Sequence, residues 1–518
     1  MKIILTVLFT VFLASCASSE QTKQPNIIYI LADDLGYGDL SCLNKDSKIK
    51  TPHLDSMAAE GMYFTDAHSN SSVCTPTRYG VVTGRYAWRS RLKRSVLGGA
   101  SNHLIDPKRL TVAGLLQKQG YHTAMIGKWH LGWDFTFTNS SASNGIGFDP
   151  AKQTIDYSKP VTFGPDANGF DYYYAHCGSL DMAPYVYVEN GKVTAAPDRV
   201  TENKDNKGFW RKGPTGSDFE HIDVLPNFVN RACKYIDERA QSGQPFFLYL
   251  PLPAPHTPIL PIEKFKGKSG TNEYGDFVQQ VDWHVSQILE SLKKNGIKEN
   301  TIVIFTSDNG CSPRAEFEEL AKFGHNPSYK FRGHKADIFE GGHRVPFVVH
   351  WPAKIKAGTV SNETICLTDL MATAAEINNT SIPDNAAEDS VSFLPALLGK
   401  DVKLREATVH HSINGSFAIR KENWKLILCP GSGGWSAPKP NEALKDKLPL
   451  IQLYDLESDP AESVNLYKKN PAKVKELYTL LKKYVEEGRS TPGKTQSNEG
   501  NTPFTPKGFE STAKELGL

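Results

Sequence analysis

Asn26-Ile27-Ile28-Tyr29-Ile30-Leu31-Ala32 is an unbroken apolar run, and it stops on two carboxylates, Asp33-Asp34. A short continuous run of this kind, rich in β-branched residues, reads as a buried strand. Three more segments follow the pattern. Thr123-Ala124-Met125-Ile126 runs into Gly127-Lys128, Phe246-Phe247-Leu248-Tyr249-Leu250 leads to Pro255-His256-Thr257-Pro258, and Ile302-Val303-Ile304-Phe305 stops at Asp308-Asn309. Helix-like segments lie between them. Thr111 caps a short helix through Leu116, while Val278, Val281, Val285, Ile288, Leu289 and Leu292 recur at three- and four-residue steps until Gly296 ends the pattern. Strands alternating with helices over residues 26–350 predict an α/β fold, a large and mostly parallel sheet flanked by helices. Polar residues at the strand ends then share the sheet edge where open α/β sheets bind ligands.

The 518 residues are enough for two or three domains at about 150 residues each. Apolar residues at 39% and charged residues at 22% are ordinary globular composition, and the net charge of +2 supplies no field for a nucleic-acid partner. The apolar run at residues 3–13 is too short to span a bilayer, which excludes a polytopic membrane protein. Apart from Cys16, the cysteines (Cys42, Cys74, Cys177, Cys233, Cys311, Cys366 and Cys429) are scattered without a C-x-x-C pair. That spacing argues against a disulfide scaffold or a zinc site. Gly267-Lys268-Ser269 looks like the end of a phosphate-binding loop, but Ile262 stands where the first Gly must be.

Cys74-Thr75-Pro76-Thr77-Arg78, with Thr83-Gly84-Arg85 close behind, resembles the signature of the sulfatase family, Cys (or Ser)-x-Pro-x-Arg and a downstream Thr-Gly-Arg. Alone, Cys74 reads as a buried thiol. Further motifs follow in the family's order. Asp33-Asp34 and Ser307-Asp308-Asn309-Gly310 match its metal-ligand pairs, Gly127-Lys128-Trp129-His130 its Lys-x-His segment, and His256 its second His. Arg332-Gly333-His334-Lys335, with Glu340-Gly341-Gly342 after it, matches its second Lys, and Leu453-Tyr454-Asp455-Leu456 with Asp459-Pro460-Ala461-Glu462 its closing segment. The resemblance covers residues 25–490.

The resemblance implies an alkaline phosphatase/sulfatase-like fold and a sulfuric ester hydrolase. It implies that a dedicated maturation enzyme oxidises Cys74 to formylglycine, an aldehyde that stands hydrated as a geminal diol. Asp33, Asp34, Asp308 and Asn309, with residue 74, would hold a divalent cation; three carboxylates and an amide oxygen suit calcium, with magnesium as the alternative. Arg78, Lys128 and Lys335 would neutralise the sulfate oxygens, His256 would protonate the leaving oxygen, and His130 would take a proton from the diol. Two other readings stay open: a phosphonate or phosphate monoester hydrolase of the same superfamily, and a glycan-binding lipoprotein without catalysis.

The segments 84–91, 179–187 and 332–337 resemble bacterial carbohydrate sulfatases, leaning toward galactose or N-acetylgalactosamine sulfates of mucin, glycosaminoglycan or algal glycans. Expected sugar contacts are His176 and Arg344 first, then residues 171–175, Asp181 to Tyr187, His343, His410, His411 and Trp435, the last in a Gly-rich loop. Met1-Lys2, the apolar run and Leu13-Ala14-Ser15-Cys16 read as a lipoprotein leader over residues 1–16, with Cys16 carrying the lipid; a plain secretory signal cut near Ala17 is the alternative. Such a leader places the enzyme in the bacterial cell envelope, periplasmic or on the outer membrane, and touching membrane only through the anchor. Residues 17–25 read as a tether, 26–400 as the catalytic domain, 401–490 as a smaller unit of antiparallel sheet plus helix, and 491–518 as a weakly ordered tail.

Overall fold

The structure, a computed structural model, describes residues 24–139 and 153–518; the leader, with Cys16, and most of the tether lie outside the described residues. Strands β1 (Asn26–Ala32), β2 (Met62–Phe64), β3 (Ala67–His68), β4 (His122–Lys128) and β5 (Tyr172–His176) come first. Then follow β6 (Val188–Glu189), β7 (Lys192–Val193), β8 (Pro197–Asn203), β9 (Trp210–Gly216), β10 (Phe246–Pro251) and β11 (Thr301–Ser307). The set continues with β12 (Phe347–His350), β13 (Thr359–Ser361) and β14 (Ile365–Cys366). The C-terminal strands are β15 (Thr408–His411), β16 (Phe417–Lys421), β17 (Trp424–Ile427) and β18 (Gln452–Asp455).

Ten strands form one sheet in the order β13-β2-β12-β11-β1-β10-β4-β5-β6-β7. The five central strands, β11-β1-β10-β4-β5, are parallel, whereas β12 and β6 add to them antiparallel, so the sheet is mixed at its margins. The continuous apolar runs have a direct cause. Alternate residues of β1 enter opposite cores: Ile27, Tyr29 and Leu31 face one, Ile28, Ile30 and Ala32 the other. A strand covered on both faces has no polar side to show. The Glu273–Lys294 helix covers the second face with Val278, Val281, Val285, Ile288 and Leu292, its start capped by the Asn272 side chain. The Cys74–Thr83, Val112–Lys118 and Leu370–Ile377 helices cover the first. No helix among the described residues is long and apolar enough to cross a membrane.

β15 to β18 form a four-stranded antiparallel sheet, packed on the Pro471–Glu486 helix through Val474, Leu477 and Leu481. Tyr86 and Trp88 reach from the larger body into this core. The residues after Gly488 correct the expectation of a weakly ordered tail. They return across the body, where Arg85 donates to Ser497 O at 2.9 Å, Arg89 to Asn498 Oδ1 at 3.1 Å and Lys93 to Thr502 Oγ1 at 3.0 Å, and they end in a helix at Phe509–Leu516. The tail is polar because it supplies acceptors to buried guanidinium groups, which would be costly to leave unpaired.

A buried ionic cluster joins the two sheets. The Nζ of Lys425, on β17, lies 3.1 Å from Glu340, 2.9 Å from Glu462 and 2.9 Å from His343 Nε2. Hydrogen bonds continue from His343 to His68 at 3.0 Å and from His68 to Asp66 at 2.9 Å, while Arg420 and Arg344 also pair with Asp66. Lys425→Met would leave Glu462 buried without its cation and Glu340 with its arginine partners alone. We expect it to cost about 3–5 kcal/mol, read as a lowered denaturation midpoint at neutral pH. A loss below about 1 kcal/mol would show that the cluster does not hold the sheets together.

Candidate active site

β1 and β11 are paired in parallel, with Ala32 opposite Ser307. The residues that follow, Asp33-Asp34 and Asp308-Asn309, therefore leave the sheet side by side. Backbone bonds fix the exit: Asp33 N–H donates to Ala254 O at 2.9 Å, and Asp308 N–H donates to Ala32 O at 3.0 Å. Asp34 takes a left-handed backbone, φ 65°, and its N–H donates to Asp308 Oδ1 at 3.2 Å. A non-glycine residue in that region is strained, and such strain concentrates at functional sites.

Each carboxylate meets one cation. Lys128, at the end of β4, contacts Asp33 at 2.5 Å and Ser179 Oγ at 2.7 Å. Lys335 contacts both oxygens of Asp34, at 2.6 and 2.7 Å. Arg78 places Nε and Nη2 on Asp308 Oδ2, at 3.1 and 2.8 Å, and gives Nη1 to Lys128 O. Arg78 was expected among the groups that bind sulfate oxygens. Its fork is instead spent on Asp308 and the Lys128 backbone, so it orients ligands.

Cys74 begins the Cys74–Thr83 helix and is buried at the end where the helix dipole is positive. Burial raises its pKa, so the unmodified residue is a thiol, and the charges acting on it are those of Lys128, Lys335, Asp33 and Asp308. The helix start, β1, β4, β11 and the Lys335 loop thus converge on one place. The seven described cysteines are all free thiols.

The oxygen set fits a divalent cation. Asp33 Oδ1 and Asn309 Oδ1 are buried with no hydrogen-bond partner among the described residues, and ligand atoms of Asp33, Asp34 and His256 lie within 4.8 Å of one another. Burial, with the charge of Asp33 added, pushes Asp308 up to about 7. Asp33 is held well below the carboxylate range: its burial is outweighed by Lys128, His256, Arg78 and Lys335. Buried carboxylate and amide oxygens left without a donor are what a hard cation would satisfy.

Both histidines have one nitrogen tied to a carbonyl. His130 gives Nε2 to Leu97 O at 2.8 Å, leaving a buried Nδ1 with no partner among the described residues; burial and Lys128 hold it well below its ordinary pKa. His256 gives Nδ1 to Thr257 O, leaving Nε2 3.6 Å from Asp34. Burial and Lys335 lower His256 as well.

His256 and Lys335 line a pocket of about 460 Å³ whose other lining residues include Asp181, Arg211, Arg314 and Trp435. Trp435, read from the sequence as a candidate sugar contact, is 41% exposed. Its position is fixed by Asp337, whose Oδ1 accepts the N–H groups of Trp435 and Ser436 at 2.7 and 3.0 Å. A Cβ at Gly434 would come within 2.4 Å of Ala336 O, so only glycine lets this loop lie against the segment that carries Lys335.

Other expected sugar contacts are corrected. His176 is fully buried, with Nδ1 3.2 Å from Val186 O and Nε2 3.4 Å from Ser179 O, so its single N–H donates to one of them, and desolvation lowers its pKa to about 4. It braces the segment that presents Ser179 to Lys128. Arg344 is bound to Asp66, Glu340 and Thr65 O in the ionic cluster. His343, His410 and His411 are buried too, the first two stacked at 3.9 Å. Arg211, Phe209, Asn206 and Arg314 escaped the sequence reading. They carry no motif, and only tertiary packing brings the β8–β9 hairpin to the loop after Asp308.

The Sulfatase family model matches residues 25–379. The N-acetylgalactosamine-6-O-sulfatase of Bacteroides thetaiotaomicron is 34% identical, over 90% of this chain and 94% of its own. The mouse N-acetylgalactosamine-6-sulfatase is 27% identical, over 95% and 92%. A solved Bacteroides thetaiotaomicron 6S-sulfatase structure, described with the metabolism of multiple glycosaminoglycans, superposes with a TM-score of 0.77 at 34% identity and covers 89% of this chain and 99% of that one. The chain belongs to the sulfatase family, and its reaction is the hydrolysis of sulfate esters.

Proposed function

We propose that the protein removes sulfate from the 6-position of N-acetylgalactosamine or galactose units, using formylglycine at residue 74 and a calcium ion. The observation that carries the reading is the convergence of Lys128, Lys335 and the Asp33, Asp34, Asp308 and Asn309 oxygens on Cys74, beneath a pocket wide enough for a sugar. The named relatives support the sugar and the position. The leader sequence supports export, with Cys16 as the anchor.

The chemistry must overcome a negatively charged ester and a poor leaving group. A cation held by Asp33, Asp34, Asp308 and Asn309 supplies Lewis-acid neutralisation of sulfate charge. Formylglycine supplies a hydroxyl nucleophile and, by re-forming its carbonyl, an exit for sulfate that Cys or Ser lacks. Lys128 has two of its three N–H groups engaged by Asp33 and Ser179, and Lys335 has two on Asp34, so each keeps a donor for a sulfate oxygen. Pinned this way, the ammonium groups need little reorganisation as charge develops. His256 has Nδ1 occupied by Thr257 O, so Nε2 is the atom left for the departing sugar oxygen; it hands over a proton only from the imidazolium, which Asp34 at 3.6 Å favours against burial and Lys335. His130 keeps Nδ1 unprotonated, because Nε2–H donates to Leu97 O and burial with Lys128 disfavours the cation, so the lone pair is free to accept a proton in the second half of the reaction.

Matured protein tested on galactose, N-acetylgalactosamine and N-acetylglucosamine, each sulfated at one known position, should release sulfate from 6-sulfated galacto-configured sugars about 100-fold faster than from the gluco epimer, by kcat/KM. Faster turnover of a phosphonate ester than of any sulfated sugar would overturn the reading. Cys74→Ala should lower turnover by about 10⁴-fold or more while leaving the unfolding midpoint near wild type. Asp308→Ala should lose metal and activity together; metal retained at wild-type stoichiometry, by elemental analysis, would contradict the ligand assignment.

A further inference from the structure

Two guanidinium groups in the pocket have no part in sulfate chemistry. Arg211, on β9, and Arg314, on the loop after Asp308, lie 5.6 and 5.3 Å from the ring of Phe209, so one aromatic side chain orients both. Arg211 is 51% exposed at its side chain and gives Nη1 to Asp181. Arg314 is exposed and gives Nη1 to the carbonyl oxygens of Asn206. Among the described residues neither uses Nε or Nη2, and Arg314 has no carboxylate partner. The remaining acid in the wall, Glu316, accepts from the Asn206 amide.

An arginine held through one nitrogen, with the rest of its fork turned to a pocket, suits a planar or tetrahedral anion. The sulfate being hydrolysed is already served by Lys128 and Lys335. A second anion is therefore the ligand these side chains fit. Asp181 adds a polar contact of the opposite kind: its Oδ1 is buried and unpartnered among the described residues, available to a sugar hydroxyl.

We propose that Arg211 and Arg314 form an anion subsite for a carboxylate or second sulfate on the sugar next to the one being desulfated, while Trp435 stacks on a ring. This rests on the carbohydrate sulfatase reading and extends it to the substrate class, an acidic oligosaccharide in place of a neutral one. Nothing but the side chains of the β8–β9 hairpin and the 312–316 loop is needed to create the preference.

The test uses matured full-length enzyme and 6-sulfated N-acetylgalactosamine linked through its anomeric carbon to a uronate, to a hexose sulfated elsewhere, or to a neutral hexose. Wild type should show a KM about tenfold lower for the acidic disaccharides, with similar kcat, and added salt should shrink the difference. Arg314→Gln should bring the acidic-to-neutral ratio close to one, and Arg314→Lys should restore part of it. Preference for the uronate alone, or the sulfated hexose alone, supports the subsite and names its anion. Equal KM for acidic and neutral disaccharides in wild type, or equal losses for both in Arg314→Gln, overturns the subsite and leaves the sulfatase reading standing. Absence of sulfate release from every sugar overturns both.

Discussion

The parallel pairing of β1 with β11 is the constraint on which the site depends. With Ala32 opposite Ser307, four oxygen-bearing residues leave two adjacent strands at the same level. Neither strand could slip by one residue without turning its side chains to the opposite core, because β1 is divided between two hydrophobic clusters, residue by residue. Core packing therefore fixes the register, and the register fixes the ligands. A substitution in the middle of β1 would act on the proposed metal site through this geometry, without touching it.

The price of that geometry is buried negative charge, and the neighbouring elements are arranged to answer it. β4 delivers Lys128, the Cys74–Thr83 helix delivers Arg78, and the loop beyond β11 delivers Lys335. Both lysines have a double use, since a side chain held by a carboxylate still has a donor to offer the substrate. The C-terminal sheet takes part as well. It is joined to the body through Lys425, Glu340 and Asp66, and the loop after β17 places Trp435 against Asp337, two residues beyond Lys335. Lys335 and Trp435 are thus mechanically one piece.

Much of this was legible in the sequence because the central strands are buried on both faces. Continuous apolar runs ending in Asp33-Asp34, Lys128 and Asp308-Asn309 mark the strand and the ligand together. The sugar-facing wall was not legible, for a physical reason. The wall residues Asn206, Phe209 and Arg211 lie in the turn after β8 and at the half-buried and exposed start of β9, where no apolar stripe announces a pocket wall. His176 and Arg344 were misread in the opposite direction. Polar residues near a strand end or beside a motif look available to a ligand, but here one is buried between backbone carbonyls and the other is held by carboxylates. The tail was misread because its polarity serves buried arginines instead of water.

The central claim is that one strand register builds one hard-oxygen cage. Anomalous diffraction from crystals of the full chain grown with calcium tests it most directly. The account predicts a single strong peak within about 2.3–2.6 Å of oxygens from Asp33, Asp34, Asp308 and Asn309. A peak held instead by His68, His343 and His410, or no peak at the ends of β1 and β11, would contradict it.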